Sequence, residues 1–340
     1  MKQLSAFARI ALAGAMLALT VAPGSADAPA PQKVSMILNW IAGGDHAPYY
    51  YAQKMGWYKD AGIDLTLEQG KGSTLAAQRF GTGGDEFGLA DFGTVLNARG
   101  KGADDVAVMN VYANFPEGFY WLKNATTIKT PADFAGKKIG NPPADAGRVL
   151  WPAFAAANHV APDSVTWVNI EPNAKISALA SHAVDTVTEF YNFHHGYVKA
   201  FGSNLGFMAW KDAGVNPYGN SIIVNGDYLR AHKDVVTAFV HVTQRAFAAC
   251  VAKPDPCIAA LVEANSGLNT DNETENWHEV VALMDDPDFH TVALGWFNPK
   301  RVASDYDLFK GTIGIDKPYD PTTAYSDAFL DHSIKMGPAK

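Results

Sequence analysis

A chain of 340 residues, 48% hydrophobic and 11% aromatic, can bury sizeable cores, which excludes intrinsic disorder and sets an expectation of about two domains. Its 35 acids against 27 bases give a formal net charge of −8 at pH 7, which argues against nucleic acid or an anionic membrane as a partner. Its two cysteines, with no further ligands at metal spacing, make a poor metal site.

At the N-terminus Lys2 and Arg9 precede an apolar run from Ile10 to Val21 and then small residues, the three-part pattern of a secretory signal. Gly24 and Ala26 suit the positions a signal peptidase reads, so residues 1–26 are the expected signal and Asp27 the expected mature N-terminus. The apolar run is shorter than the roughly 18 residues of a spanning helix. Loss of Lys2 and Arg9 moves the formal charge from −8 to −10. No cysteine stands near the cleavage point to carry a lipid, and no later stretch reads as membrane-spanning. The expectation is a periplasmic protein of a double-membraned bacterium, in a compartment where Cys250 and Cys257, close together in CVAKPDPC, pair as a disulfide.

Beyond the Pro-rich leader APAPQ, Lys33 to Leu38 reads as a strand ending at Asn39 and Trp40. Pro48 suits the first turn of a helix through Met55, and Gly56 its exit. Asp64 to Glu68 is the next strand, running into QGKGS, where Ser73 caps a short helix from Thr74 to Phe80. Phe87 to Leu89, then ADFGT and a helix from Val95, repeat the theme, and Val106 to Val111 continues it. Strand, loop and helix in alternation predict mainly parallel sheets covered on both faces.

The pattern starts afresh after Phe115 to Gly118. YWLK is followed by NPPADAG before a helix from Arg148 to Asn158, then a strand at Thr166 to Ile170, a helix at Lys175 to Ser181, and a strand at Thr186 to Thr188 running into EFYNFHH. NPYGNSIIVN, Asn216 to Asn225, reads as the path back. Val236, Val240, Thr243, Phe247 and Cys250 recur at alternating four and three, one face of an amphipathic helix. The expected division is a first lobe of residues 33–116 and 225–340 and a second of residues 117–224.

LNW, HAPYYYAQKMGWYKDAGIDLTL, FGLADFGTVLNARGKG and TPADFAGKKIG, in this order, resemble the periplasmic substrate-binding proteins of ABC transporters, in the superfamily of thiamine-pyrimidine-precursor (NMT1/THI5-like) and sulfonate or nitrate receptors. The resemblance implies a two-lobed α/β fold of the type II periplasmic binding protein kind. It implies two crossovers, a central cleft that closes on a ligand, no chemistry on that ligand, an importer permease as partner and a monomer. In its first motif it implies Asn39, Trp40 and His46 as ligand contacts, and in the second lobe Glu189, Tyr191 and Asn192.

Ligands of open α/β sheets sit beyond the carboxyl ends of strands, which selects the loops Asn39–Tyr50, Gly70–Ser73, Asp91–Thr94, Asn141–Gly147 and Glu189–Asn192. In QGKGS and DFGT the glycines, among them Gly93, either free the backbone N–H groups of Gly72, Ser73 and Thr94 for an anion or carbonyl, or only make the turns. Asp45, Asp91, Asp145 and Glu189 disfavour a dianion and suit the N–H groups of an aminopyrimidine, with Glu189 the chosen anchor; the alternative for Glu189 is a strand-end acid in water or one paired with a base across the lobes. Asp91 and Asp145 serve equally as helix caps. Trp40, Tyr50, Phe115 and Tyr191 either sandwich a flat ring or pack the core, and His46 either donates to the ligand or caps a helix. His194 and His195, adjacent rather than spaced along a helix face, suit no joint metal site and read as surface or hinge residues.

The favoured function is therefore a receptor for a flat heteroaromatic such as a thiamine pyrimidine precursor. A sulfonate, nitrate or aromatic acid is the alternative within the class. The rival from another class is a thiamine-pyrimidine synthase, which carries a cysteine-rich iron motif and a lysine holding pyridoxal phosphate. This chain departs from it: its two cysteines lie far along the sequence, no cofactor is expected, and export would remove the protein from the cytosol. Neither G-x-S-x-G nor H-E-x-x-H occurs.

Overall fold

The computed structural model describes residues 30–338, in one compact unit from Pro31 onward; the expected signal and its cleavage site lie outside the described residues. Ten strands among the described residues form two five-stranded mixed sheets. The first contains β1 (Gln32–Ile37), β2 (Ile63–Glu68), β3 (Phe87–Asp91) and β4 (Asp105–Asn110). The second contains β5 (Glu117–Leu122), β6 (Lys138–Asn141), β7 (Thr166–Asn169), β8 (Thr186–Phe190) and β9 (Leu205–Ala209). β10 (Asn220–Asn225) returns to the first sheet. The orders are β2-β1-β3-β10-β4 and β7-β6-β8-β5-β9.

The two sheets share one plan. In each, three neighbouring strands run parallel, and the fourth position is held by a strand antiparallel to its neighbours. Those antiparallel strands, β5 and β10, are the ones that arrive from the other sheet. The two crossings lie side by side: the N–H groups of Val111 and Tyr112 both donate to Asn220 O, and Phe115 N–H donates to Asn216 Oδ1 at 2.8 Å. Return into the first sheet begins at Asn220, earlier than the expected boundary at 225, because Asn220 and Ser221 already pair with Asp91 and Ala90 of β3.

The expected strands appear with ends moved by one or two residues. The expected helix from Arg148 to Asn158 is instead two, Ala146–Val149 and Trp151–Ala157. Pro152, which has no N–H to donate to the preceding turn, accounts for the break. The sulfurs of Cys250 and Cys257 are bonded and join the helices Lys233–Ala252 and Asp255–Ala264. By length and composition Lys233–Ala252 is apolar enough to cross a membrane, contrary to the reading that no later stretch is. Its Val236, Phe239, Val240 and Phe247 are fully buried in the core, which explains the apolar composition.

Candidate functional site

β1 ends where Leu38 is buried and the chain must turn. The Gly70 N–H donates to Trp40 O and the Gly72 N–H to Asn39 O, so the loops after β1 and β2 are stitched together. Gly72 sits at φ +125°, and a Cβ there would lie 2.5 Å from Ala144 O. Only a glycine accepts both that backbone conformation and that approach. Ala144 follows β6, and its carbonyl also accepts from Thr74 N–H at 3.4 Å; the loops of the two sheets therefore meet over one cleft.

That cleft gathers residues from the carboxyl ends of four parallel strands. Asn39, Trp40 and Asp45 follow β1, Ser73 follows β2, Asp145 follows β6, and Glu189 and Asn192 stand at the end of β8. The cleft is nearly shut, with about 10 Å³ open to the centre of a water molecule. Beside it a side opening of about 240 Å³ shares Trp40 and Glu189.

Lys175, which was not among the expected site residues, lines this side opening and reaches two carboxylates of the cleft. Its ammonium lies 3.0 Å from Asp145 Oδ2, 3.2 Å from Glu189 Oε1 and 5.1 Å from the centre of the Trp40 ring, and the side chain is 2% exposed. Burial opposes its charge, but Asp145, Glu189 and Glu117 outweigh burial and hold its pKa above that of an ordinary lysine. Burial raises the Glu189 carboxyl, and Lys175 offsets part of that rise. Glu117, fully buried behind Gly147, is pushed well up by burial and then by Asp145, with Lys175 pulling the other way. Two carboxylates and one ammonium leave this cluster net acidic when Glu117 is protonated.

Several expected residues support the cleft rather than line it. His46 is fully buried; its Nδ1 accepts from Gly43 N–H at 3.3 Å, so its Nε2–H donates to Asn39 Oδ1 at 3.1 Å. It orients Asn39. Because that Nδ1 is an acceptor, Asp45 Oδ1, 3.1 Å away, gains no proton from it and has no hydrogen-bond partner, although buried. Asn192 Oδ1 is in the same condition. The cleft is thus rich in unpaired acceptors.

Asp91 caps its helix, accepting from Thr94 N–H at 2.8 Å and Thr94 Oγ1–H at 2.6 Å; burial raises its carboxyl. Asp145 caps too, accepting from Gly147 N–H at 2.9 Å, while still facing the cleft. Gly93 packs under Phe309, which a Cβ would approach to 2.5 Å, and Thr94 lines a separate cavity between the helices Ser73–Gly81 and Phe92–Gly100. With Gly72 and Thr94 N–H groups already donating, two of the three expected anion donors are committed.

The aromatic residues divide likewise. Trp40 faces the cleft, Tyr50 packs toward Asn265, Phe115 is buried 5.6 Å from the Trp210 ring between the crossings, and Tyr191 stacks on His194 at 5.0 Å. Phe193, which was not expected, lines both the cleft and the side opening. His195 is not a surface residue. Its backbone N–H and Nδ1 meet the two carboxylate oxygens of Glu279 at 2.7 and 2.8 Å, and its Nε2 lies 3.1 Å from Asn272 Oδ1. Both partners belong to the helix Thr270–Met284, whose Glu273 also accepts from Gly44 N–H at 2.7 Å in the loop after β1. That helix bridges the loop after β1 and the segment after β8. Among the described residues no cluster of His, Cys, Asp or Glu has metal-site geometry.

Comparison with known proteins gives the family and the fold. A 4-amino-5-hydroxymethyl-2-methylpyrimidine phosphate synthase of Legionella pneumophila is 23% identical over 70% of this chain and 75% of its own. A formylaminopyrimidine-binding protein of Halalkalibacterium halodurans is 22% identical over 77% and 81%. The solved alkanesulfonate-binding protein of Xanthomonas axonopodis pv. citri, bound to MOPS, shares the fold with a TM-score of 0.67 at 15% identity, covering 88% of this chain and 99% of that one. The family model described as NMT1/THI5 like matches residues 44–256, more than half of the sequence, and the chain belongs to the NMT1/THI5-like family.

Proposed function

We propose that this protein is the solute-binding component of an ABC importer, acting in the periplasm after removal of its signal, and that its ligand is a flat, N–H-bearing heteroaromatic of the aminopyrimidine class. The observation that carries this reading is the cleft itself: Trp40 offers a ring face beside the carboxylates of Asp45, Asp145 and Glu189, with Asp45 Oδ1 and Asn192 Oδ1 unpaired. Buried acceptors call for donors. An aminopyrimidine supplies them in the plane of a ring that stacks on Trp40, and charge-assisted bonds to carboxylate are the strong ones.

Two lobes, built on the two sheets and joined by the paired crossings, would close over that ligand as a hinge, and the closed form is what a permease would recognise. The relative named as a formylaminopyrimidine-binding protein lends support to this ligand class. The oxyanion alternative is disfavoured because Gly72 and Thr94 N–H groups are engaged within the protein. We read the chain as a receptor and not as an enzyme, although several relatives are named synthases. Lys175, the buried lysine beside the cleft, is ion-paired with Asp145 and Glu189, and these carboxylates do not fit the phosphate of a pyridoxal cofactor.

Calorimetric titration of the mature protein with aminopyrimidines, an alkanesulfonate and nitrate tests the reading. Saturable one-to-one binding of an aminopyrimidine is expected, weakened about tenfold or more in E189Q, the scale of a lost bond to a charged group. Binding of the two anions with no response to any aminopyrimidine would overturn it.

A further inference from the structure

Lys175 is an unusual residue to find buried against the carboxylates of a cleft meant for a ligand. A lone ammonium needs several hydrogen-bond acceptors and gains from an aromatic face within about 6 Å. It finds both here, in Asp145, Glu189 and the Trp40 ring at 5.1 Å. Those three groups, with Asn192 and Asp45 around them, are also the groups assigned above to the ligand. The same cage cannot serve both occupants at once, since about 10 Å³ of it is open to the centre of a water molecule.

We propose that the Lys175 ammonium is a built-in stand-in for the ligand's own cationic group, and that binding is an exchange in which the ligand enters between Asp145 and Glu189 as Lys175 swings out. The inference rests on the reading of this cleft as the solute site and adds the charge of the solute: a flat ring bearing a protonated amine or amidine-like group. The side opening provides the destination. Lys175 lines it together with Pro172, Asn173 and Ile176, and it holds about 240 Å³, ample for a lysine side chain to occupy without unfolding its helix. Charge balance gives the ligand class. With Lys175 withdrawn, Asp145 and Glu189 face the cage with no cation between them, a cost a neutral ring offsets only in part and an anion increases. Held in place, Lys175 keeps the ligand-free cleft from presenting two bare carboxylates.

Benzamidinium, a flat ring carrying charged paired N–H groups, is the probe. It is titrated calorimetrically into the wild-type protein and K175M, and Lys175 acylation by a lysine-reactive ester is followed by mass spectrometry in the wild type with and without the probe. We expect K175M to bind benzamidinium at least tenfold more tightly than the wild type, since the internal competitor is gone, and Lys175 to pass from protected to reactive as the probe saturates. Weaker or equal binding by K175M, or protection of Lys175 that persists at saturating benzamidinium, overturns the exchange. Should K175M fail to fold, the acylation result on the wild type decides alone. An aminopyrimidine that binds where benzamidinium binds neither protein overturns this inference and leaves the proposed function standing; the converse pattern removes the aminopyrimidine and keeps the exchange.

Discussion

Glu117 shows how much one buried acid governs the behaviour of its neighbours. It sits at the start of β5, fully buried, against Gly147 and Thr188. Burial and the nearby Asp145 raise its pKa well above the ordinary carboxylate range, despite Lys175. A group raised in the folded state contributes stability that is complete below its unfolded pKa and is lost as pH rises through the folded value. The wild type should therefore lose stability toward alkaline pH, and E117Q, which keeps the shape of the protonated acid, should not lose this part. We expect melting curves of E117Q to lie about 1–2 °C above the wild type near pH 9, the effect of roughly 1 kcal/mol on a chain of this size, and to converge with it near pH 5. A difference that does not change with pH would refute the assignment. Glu117 and Lys175 were both missed by sequence reasoning, for different reasons. Glu117 stood in a run read as a boundary, FPEG, where an acid looks solvated. Lys175 left a signal: Lys175, Ala178 and Leu179 are spaced three and four apart, and all three are buried on the helix Lys175–Ala180. A lysine on the apolar stripe of a short helix is a better pointer to a site than the strand-end acids alone. His46 was legible as important, but a single sequence does not distinguish contact with a ligand from orientation of Asn39.

The helix Thr270–Met284 is where sequence reading gave least, since its composition, TDNETENWHEVVALM, describes an ordinary half-solvated helix. Its role comes from position. One end holds Gly44 through Glu273 and the middle holds His195 through Glu279, so it ties the loop after β1 to the segment after β8. Burial lowers the His195 pKa and Glu279 more than restores it, leaving it raised; the groups facing the ring are Glu279, Asn272, Glu273 and His194. A raised histidine lends its full contribution below the unfolded value near 6.5 and loses it as pH climbs through the folded one. Ligand affinity of the wild type should accordingly weaken by about threefold to tenfold above that value, the scale of a partly exposed pair. E279Q should be weaker at low pH and flat across the range. A pH profile in E279Q that parallels the wild type would show that the clasp plays no part in closure. By contrast the sheets and the cleft loops were readable in the sequence. Strand-loop-helix alternation leaves a periodic trace, and the site rule for strand ends needs only the order of elements, so the loops it selects include Asn39, Trp40, Asp45, Ser73, Asp145, Glu189 and Asn192, which line the candidate cleft.

At the scale of the whole molecule, the proposed closure would run through backbone meeting backbone at Gly72 and Ala144. A methyl group at Gly72 would stand 2.5 Å from Ala144 O, at a φ of +125°, so G72A should hold the two halves apart. Small-angle scattering of G72A with saturating ligand is expected to show a larger radius of gyration than the wild type, with affinity down about tenfold or more. Identical scattering profiles and affinities would mean that closure does not run through this contact. The paired crossings have a further consequence, for the order in which the molecule is made. β10 lies between β3 and β4 and is the strand that hydrogen-bonds to both, yet it leaves the ribosome only after the entire second sheet. Until then β4 has no neighbour in its sheet, and the nascent first half carries open strand edges of the kind that aggregate. Contacts so distant in sequence make for slow folding, and a chain that cannot finish its first sheet until about two thirds of it is synthesised would stay unfolded long enough for the export proposed above.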